Sequence, residues 1–105
     1  YIDSAQTEKV EISLKNTRGK IIDTMTSTQK KGSQVLLPQI AKLLKKHRLN
    51  VKDLTGVEVN VGPGSFTGTR VGVAVANALS FALHVPLNGK LGKIAEPLYA
   101  KSKFD

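Results

Sequence analysis

VNVGPGSFTGTRVGVAVANALSFAL, residues 59–83, decides how this chain is read. Val59 and Val61 flank Asn60 in the alternation of a half-buried strand. Gly62, Pro63 and Gly64 break it, and a mostly apolar stretch with helical spacing runs from about residue 67 to residue 83. Many proteins use strand, glycine-rich turn and helix to hold a phosphate, because the free N–H groups of the first helical turn attract an anion. Gly62, Gly64 and Gly68 admit a close backbone approach, and Ser65 and Thr67 offer hydroxyls. The spacing nevertheless matches neither the Gly-Lys-Ser/Thr of a P-loop nor the G-x-G-x-x-G of a dinucleotide site. Pro63 also stands where a G-x-S-x-G nucleophile elbow needs glycine. A tight strand-to-helix turn capped by Ser65 or Thr67 is the stronger expectation, with phosphate binding as the alternative.

The helix after the loop is unusual. Only Arg70 and Asn77 form a polar row on it, while Gly68, Gly72, Ala76 and Ser80 recur every four residues as a strip of small side chains. Such a strip lets a second helix approach closely. A helix apolar around most of its circumference must be covered on more than one side. One side faces a sheet; the other is covered by the first helix or by an outside partner.

Working outward, residues 1–3 read as the end of a first strand, and Val10-Glu11-Ile12-Ser13-Leu14-Lys15 alternates as a second. Asn16-Thr17-Arg18-Gly19 is a turn, and residues 20–26 complete a hairpin. Ser33 is a candidate N-cap for a helix reaching about residue 48, with Leu36, Leu37, Ile40, Leu43 and Leu44 on one face. Residues 57–61 and 85–88 read as two further strands, and residues 91–101 as a last helix. Hairpin-linked strands followed by strand–helix crossovers predict an α/β domain, a mixed five-stranded sheet with packed helices.

At 105 residues the chain is expected to be one domain, and 40% hydrophobic against 23% charged residues is ordinary for a globular protein. It begins at Tyr1 inside an expected strand, so a few residues are expected to precede it. No apolar run approaches the ~20 residues of a membrane-spanning helix. Cysteine is absent, which excludes disulfides and thiolate metal sites and fits a cytoplasmic protein. A net charge of +8 favours an acidic partner such as RNA. Lysine supplies 13 of the 16 cations, however, and specific reading of bases leans on arginine, so any attraction is expected to be non-specific.

The runs VGPGSFTGTRVGVAVANALSFAL and VPLNG together closely resemble the signature of the TsaB (YeaZ) family. YIDSAQTEKVEISL is similar to that family's opening strands, and LLPQIAKLLKKHRLNVKDLTGVEV to its first helix and the approach to the loop. The resemblance implies a ribonuclease H-like lobe of the actin/Hsp70 (ASKHA, Gcp-like) superfamily. It further implies a non-catalytic subunit supporting synthesis of threonylcarbamoyladenosine on tRNA. The implied partners are the catalytic subunit TsaD, the ATPase TsaE acting on the complex, and tRNA indirectly or weakly. Docking through the first two helices would carry Leu36, Leu37, Ile40, Leu44, Gly72, Ala76, Leu79 and Ser80 onto the interface, a face that also offers a route to a homodimer. No resident cofactor is implied, with ATP entering only in the complex. The family's second lobe is expected to be absent from this chain, Gly32 stands where many members have His, and GKLGKIAEPLYAK departs from a Ser-rich helix start.

Asp3 sits where superfamily enzymes place an acidic residue near the phosphate cleft, or forms a turn with Ser4. His47 and His84 lack the carboxylate spacing of metal ligands, and Asp23 and Glu58 read as isolated. Three functions follow: a scaffold docking by helices, a nucleotide-binding hydrolase using the glycine loop, and a tRNA-binding module working through lysines.

Overall fold

A computed structural model describes residues 1–5, 9–28, 33–63, 66–92 and 94–96. Strands β1 (Ile2–Asp3), β2 (Lys9–Lys15) and β3 (Ile21–Thr28) form an antiparallel sheet in the order β1-β2-β3. The alternation in β2 works as its spacing predicts, sending Val10, Ile12 and Leu14 into the core. Ser13 points to the opposite face, where its hydroxyl shares a 3.0 Å hydrogen bond with Thr24, its partner in register. The hairpin turn is organised by Asn16, whose side-chain oxygen accepts from the N–H groups of Arg18 (2.9 Å) and Lys20 (3.0 Å). Gly19 takes the left-handed φ of 82° that closes it.

Helix α1 (Ser33–Lys46) buries Leu36, Ile40, Leu43 and Leu44 at helical spacing against β2 and β3. It stops two residues earlier than the sequence predicts. Leu49 N–H reaches back to Leu44 C=O (2.9 Å) and Arg48 N–H to Lys45 C=O (3.0 Å), with Arg48 left-handed at φ 60°. That is the Schellman pattern, with arginine where glycine is the usual occupant. A 3-10 turn, Val51–Asp53, follows under a capping box: Asn50 accepts from Lys52 N–H, and Asp53 accepts from Asn50 N–H at 2.9 Å.

Helix α2 (Phe66–Leu83) begins one residue before its predicted start and lies on β1. Ile2, the β2 residues, the α1 leucines, Val57, Val59, Val73, Val75, Ala76 and Leu87 make one core between helices and sheet. No helix among the described residues is long and apolar enough to cross a membrane.

The predicted five-stranded sheet differs from what forms. Three strands pair continuously, and segments 57–61 and 85–88 attach only by isolated parallel bridges, Val59 to Ile2 and Val57 to Leu87. The cause is local. Asn88, left-handed at φ 50°, turns its side-chain amide onto Val59, accepting from its N–H at 2.9 Å and donating to its C=O at 3.2 Å. A side chain thus takes the hydrogen bonds that a neighbouring strand's backbone would have made. Asn88-Gly89 is itself a two-residue turn, with Leu87 and Lys90 bonded to each other both ways at 3.0 Å. The predicted last helix is likewise not seen: Leu91 and Gly92 lie in a turn and residues 94–96 are irregular, the remainder lying outside the described residues.

Candidate functional site

The mouth of the glycine loop is built around Asn60. Its side-chain oxygen accepts from Gly62 N–H at 2.9 Å, and its amide nitrogen donates to the Asp3 carboxylate at 3.2 Å. The same Asp3 oxygen accepts from Ala5 N–H at 3.2 Å, so Asp3 is a turn former that also reaches the loop. Gly62 is left-handed at φ 99°, a conformation open to glycine, and the Gly62–Pro63 peptide is cis. Asp3, Asn60 and Gly62 therefore come together. Gly64 and Ser65 lie outside the described residues, while Thr67 and Gly68 belong to the first turn of α2. Asn60 escapes a reading of the sequence because its neighbour across the sheet is 57 positions away.

The eight residues expected on a partner face are distributed otherwise. Leu36, Ile40, Leu44, Gly72, Ala76 and Ser80 are buried in the chain's own core, and Leu79 is half-buried against it. Leu37 alone is open, at 51% exposure. The small-residue strip faces inward because β1 and its following turn press against it. A methyl group at Gly72 would overlap the Ser4 hydroxyl and approach Ile2 Cγ2 to 3.4 Å. The Ser80 hydroxyl donates to Val85 C=O at 2.7 Å. What α2 leaves outside is a second row at the same spacing, Arg70, Ala74, Ala78 and Ala82, with Phe81 beside it at 82% exposure. Alanine and glycine rows differ little in polarity, so the sequence pattern alone does not say which one faces the sheet.

Asp23 and Glu58, which read as isolated in sequence, are both paired. Asp23 on β3 receives His47 Nε2 and Lys46 Nζ, each at 2.9 Å, from the end of α1. The hydrogen bond from His47, then that from Lys46 and one from Thr24 N–H, lowers its pKa to about 2. Glu58 pairs with Lys15 at 3.2 Å, and the Lys15 ammonium lies 5.1 Å from the centre of the Tyr1 ring. Among the described residues no group of three or more His, Asp or Glu converges in a way that could hold a metal ion.

Residues 19–89 match the family model described as "TsaD: tRNA N6-adenosine threonylcarbamoyltransferase". The chain is 34% identical, over 80% of its length, to the tRNA threonylcarbamoyladenosine biosynthesis protein TsaB of Buchnera aphidicola subsp. Schizaphis graminum. It belongs to the TsaB (YeaZ) family. The TsaB of Escherichia coli K12 is 30% identical over 84% of the chain. A solved structure of YeaZ from Pseudomonas aeruginosa superposes with a TM-score of 0.72 over 94% of this chain at 24% identity, which speaks for the fold alone. The chain spans 41% of the Buchnera TsaB, 37% of the Escherichia coli one and 41% of that YeaZ structure.

Proposed function

We propose that this TsaB-family chain is a non-catalytic lobe, of the ribonuclease H-like type, that supports formation of threonylcarbamoyladenosine on tRNA by docking onto a TsaD-type catalytic subunit. The observation that carries the reading is the uncovered row Ala74, Ala78, Phe81 and Ala82 on α2, with Leu37 open on the neighbouring α1. Small side chains in a row let a partner helix come close, and an exposed aromatic supplies an anchor. The relatives' names supply the pathway. On this reading a TsaE-type ATPase acts on the assembled complex, and ATP enters only there.

The eight residues expected from the family resemblance act mostly as the support behind this face, since six of them form its floor. Substitution therefore belongs on the outer row. Ala78→Arg is expected to abolish the complex with TsaD, read as loss of the mixed species by light scattering after size exclusion, with the melting temperature of the free chain unchanged. A complex that persists with Ala78→Arg and Phe81→Ala combined removes this face from the reading.

A further inference from the structure

We propose that Asn88 is a site of spontaneous covalent modification: its side-chain amide is lost as ammonia through a cyclic imide with Gly89, and the product loosens the segment that carries Asn60. Of the five asparagines in the chain, Asn88 alone is followed by glycine; the others precede Thr17, Val51, Val61 and Ala78. A side chain on the following residue crowds the approach of its nitrogen to the asparagine Cγ, and glycine has none. Asn88 and Gly89 are both exposed, so water and base reach them. Among the described residues the Gly89 N–H donates no hydrogen bond that would hold it back.

The reaction needs only water. Base removes the Gly89 N–H proton, and the nitrogen attacks Asn88 Cγ. The bond from Cγ to Nδ2 breaks as the new carbon–nitrogen bond forms, and Nδ2 leaves as ammonia with the proton. Water then opens the imide at either carbonyl. One product is aspartate; the other is isoaspartate, whose main chain runs through Cγ. Nothing is oxidised or reduced.

The fold both requires this pair and restrains it. Asn88 and Gly89 are left-handed, at φ 50° and φ 80°, as the two-residue turn between Leu87 and Lys90 demands, and Asn-Gly is the pair best suited to that geometry. In the folded chain the Asn88 amide is turned onto Val59, accepting from its N–H at 2.9 Å and donating to its C=O at 3.2 Å. Ring closure turns Cγ toward Gly89 and expels Nδ2, so both bonds are released first, which lowers the reactive population by roughly tenfold. A carboxylate at this position still accepts from Val59 N–H but has no proton for Val59 C=O, and isoaspartate adds a carbon to the main chain of the turn. Val59 bridges to Ile2 and stands next to Asn60, which holds Gly62 and Asp3. The modification therefore reaches the mouth of the glycine loop, whatever partner meets α2.

The test is peptide mass spectrometry of the whole chain aged in mildly alkaline buffer, folded and in guanidinium chloride. Asn88 is expected to become an acid while Asn16, Asn50, Asn60 and Asn77 keep their amides. The denatured chain is expected to react roughly tenfold faster than the folded one. Gly89→Ala is expected to slow the reaction in the denatured chain, where the turn plays no part. Hydrogen exchange then reads the consequence. In Asn88→Asp, and in the aged chain, the N–H groups of Val59 and Asn60 are expected to exchange several-fold faster, with those of the β2–β3 hairpin unchanged. Amide loss at all five asparagines alike, or equal rates in the folded and denatured chain, overturns the proposal. Exchange at Val59 and Asn60 that does not change in Asn88→Asp overturns it too, since the modification would then stop at the turn. Faster exchange throughout, hairpin included, replaces the local effect by a general loss of stability and overturns it as well.

Discussion

Asp23 joins sheet and helix through one carboxylate. Its carboxylate is held at about 2 by His47, Lys46 and Thr24 N–H, below its ordinary value of 3.8. A depressed carboxylate stabilises the fold above the unfolded value, and that contribution disappears as pH falls through the folded one. The gap in melting temperature between the chain and Asp23→Asn is therefore expected to be full at pH 5–7 and to close between about pH 4 and pH 2. A gap that stays constant across that window would show that the carboxylate is not engaged as described. Nothing in the sequence brings Asp23 to His47. They are 24 positions apart on different elements, and only the packing of α1 across β3 makes them neighbours.

Among elements, α2 carries the most information. Its existence and length are legible in residues 66–83 because an apolar run bounded by a glycine turn has few alternatives. Its orientation is not, since two rows of small residues compete for the inward position. Ser4 settles the matter by occupying the space above Gly72. Gly72→Ala sets about 1 kcal/mol of helix propensity against an overpacking cost of roughly 1–3 kcal/mol, so a net loss of stability by chemical denaturation is expected. Adding Ser4→Gly is expected to recover most of it; failure to recover would mean that the close approach lies elsewhere. The hairpin shows the opposite case. Asn16 to Gly19 announce the turn in sequence because both bonding residue and glycine are local. Segment 57–61 reads as a strand and pairs only at Val57 and Val59, and at Val59 the side chain of Asn88, 29 positions on, stands in for a neighbouring backbone.

For the whole molecule, exposed apolar side chains occur in more than one region: Phe81 beside the outer row of α2, and Ile21, Ile22 and Leu49 near the hairpin turn and the end of α1. The outer row of α2 carries small side chains with Arg70 and Phe81 beside them, while exposed lysines and arginines stand around the hairpin turn and the last turn of α1. The core was readable in outline, since Val10, Ile12, Leu14, Leu36 and Ile40 follow strand and helix periods. Gly62 was readable as a turn former, but Asn60, which bonds it, was not, because a polar residue in a strand gives no sign of what it will meet.

The amide of Asn88 has a consequence for behaviour in a crowded solution. An exposed run of unpaired N–H and C=O groups is a template on which another chain can add a strand and begin a fibre. By occupying Val59 on both sides of its peptide, Asn88 blunts that template with two bonds and a bend. Asn88→Gly retains the left-handed backbone and removes the block. Its effect is expected to appear less in melting temperature than in concentration-dependent light scattering and thioflavin fluorescence on prolonged warming. An asparagine that looks like part of a turn would then be a guard against aggregation.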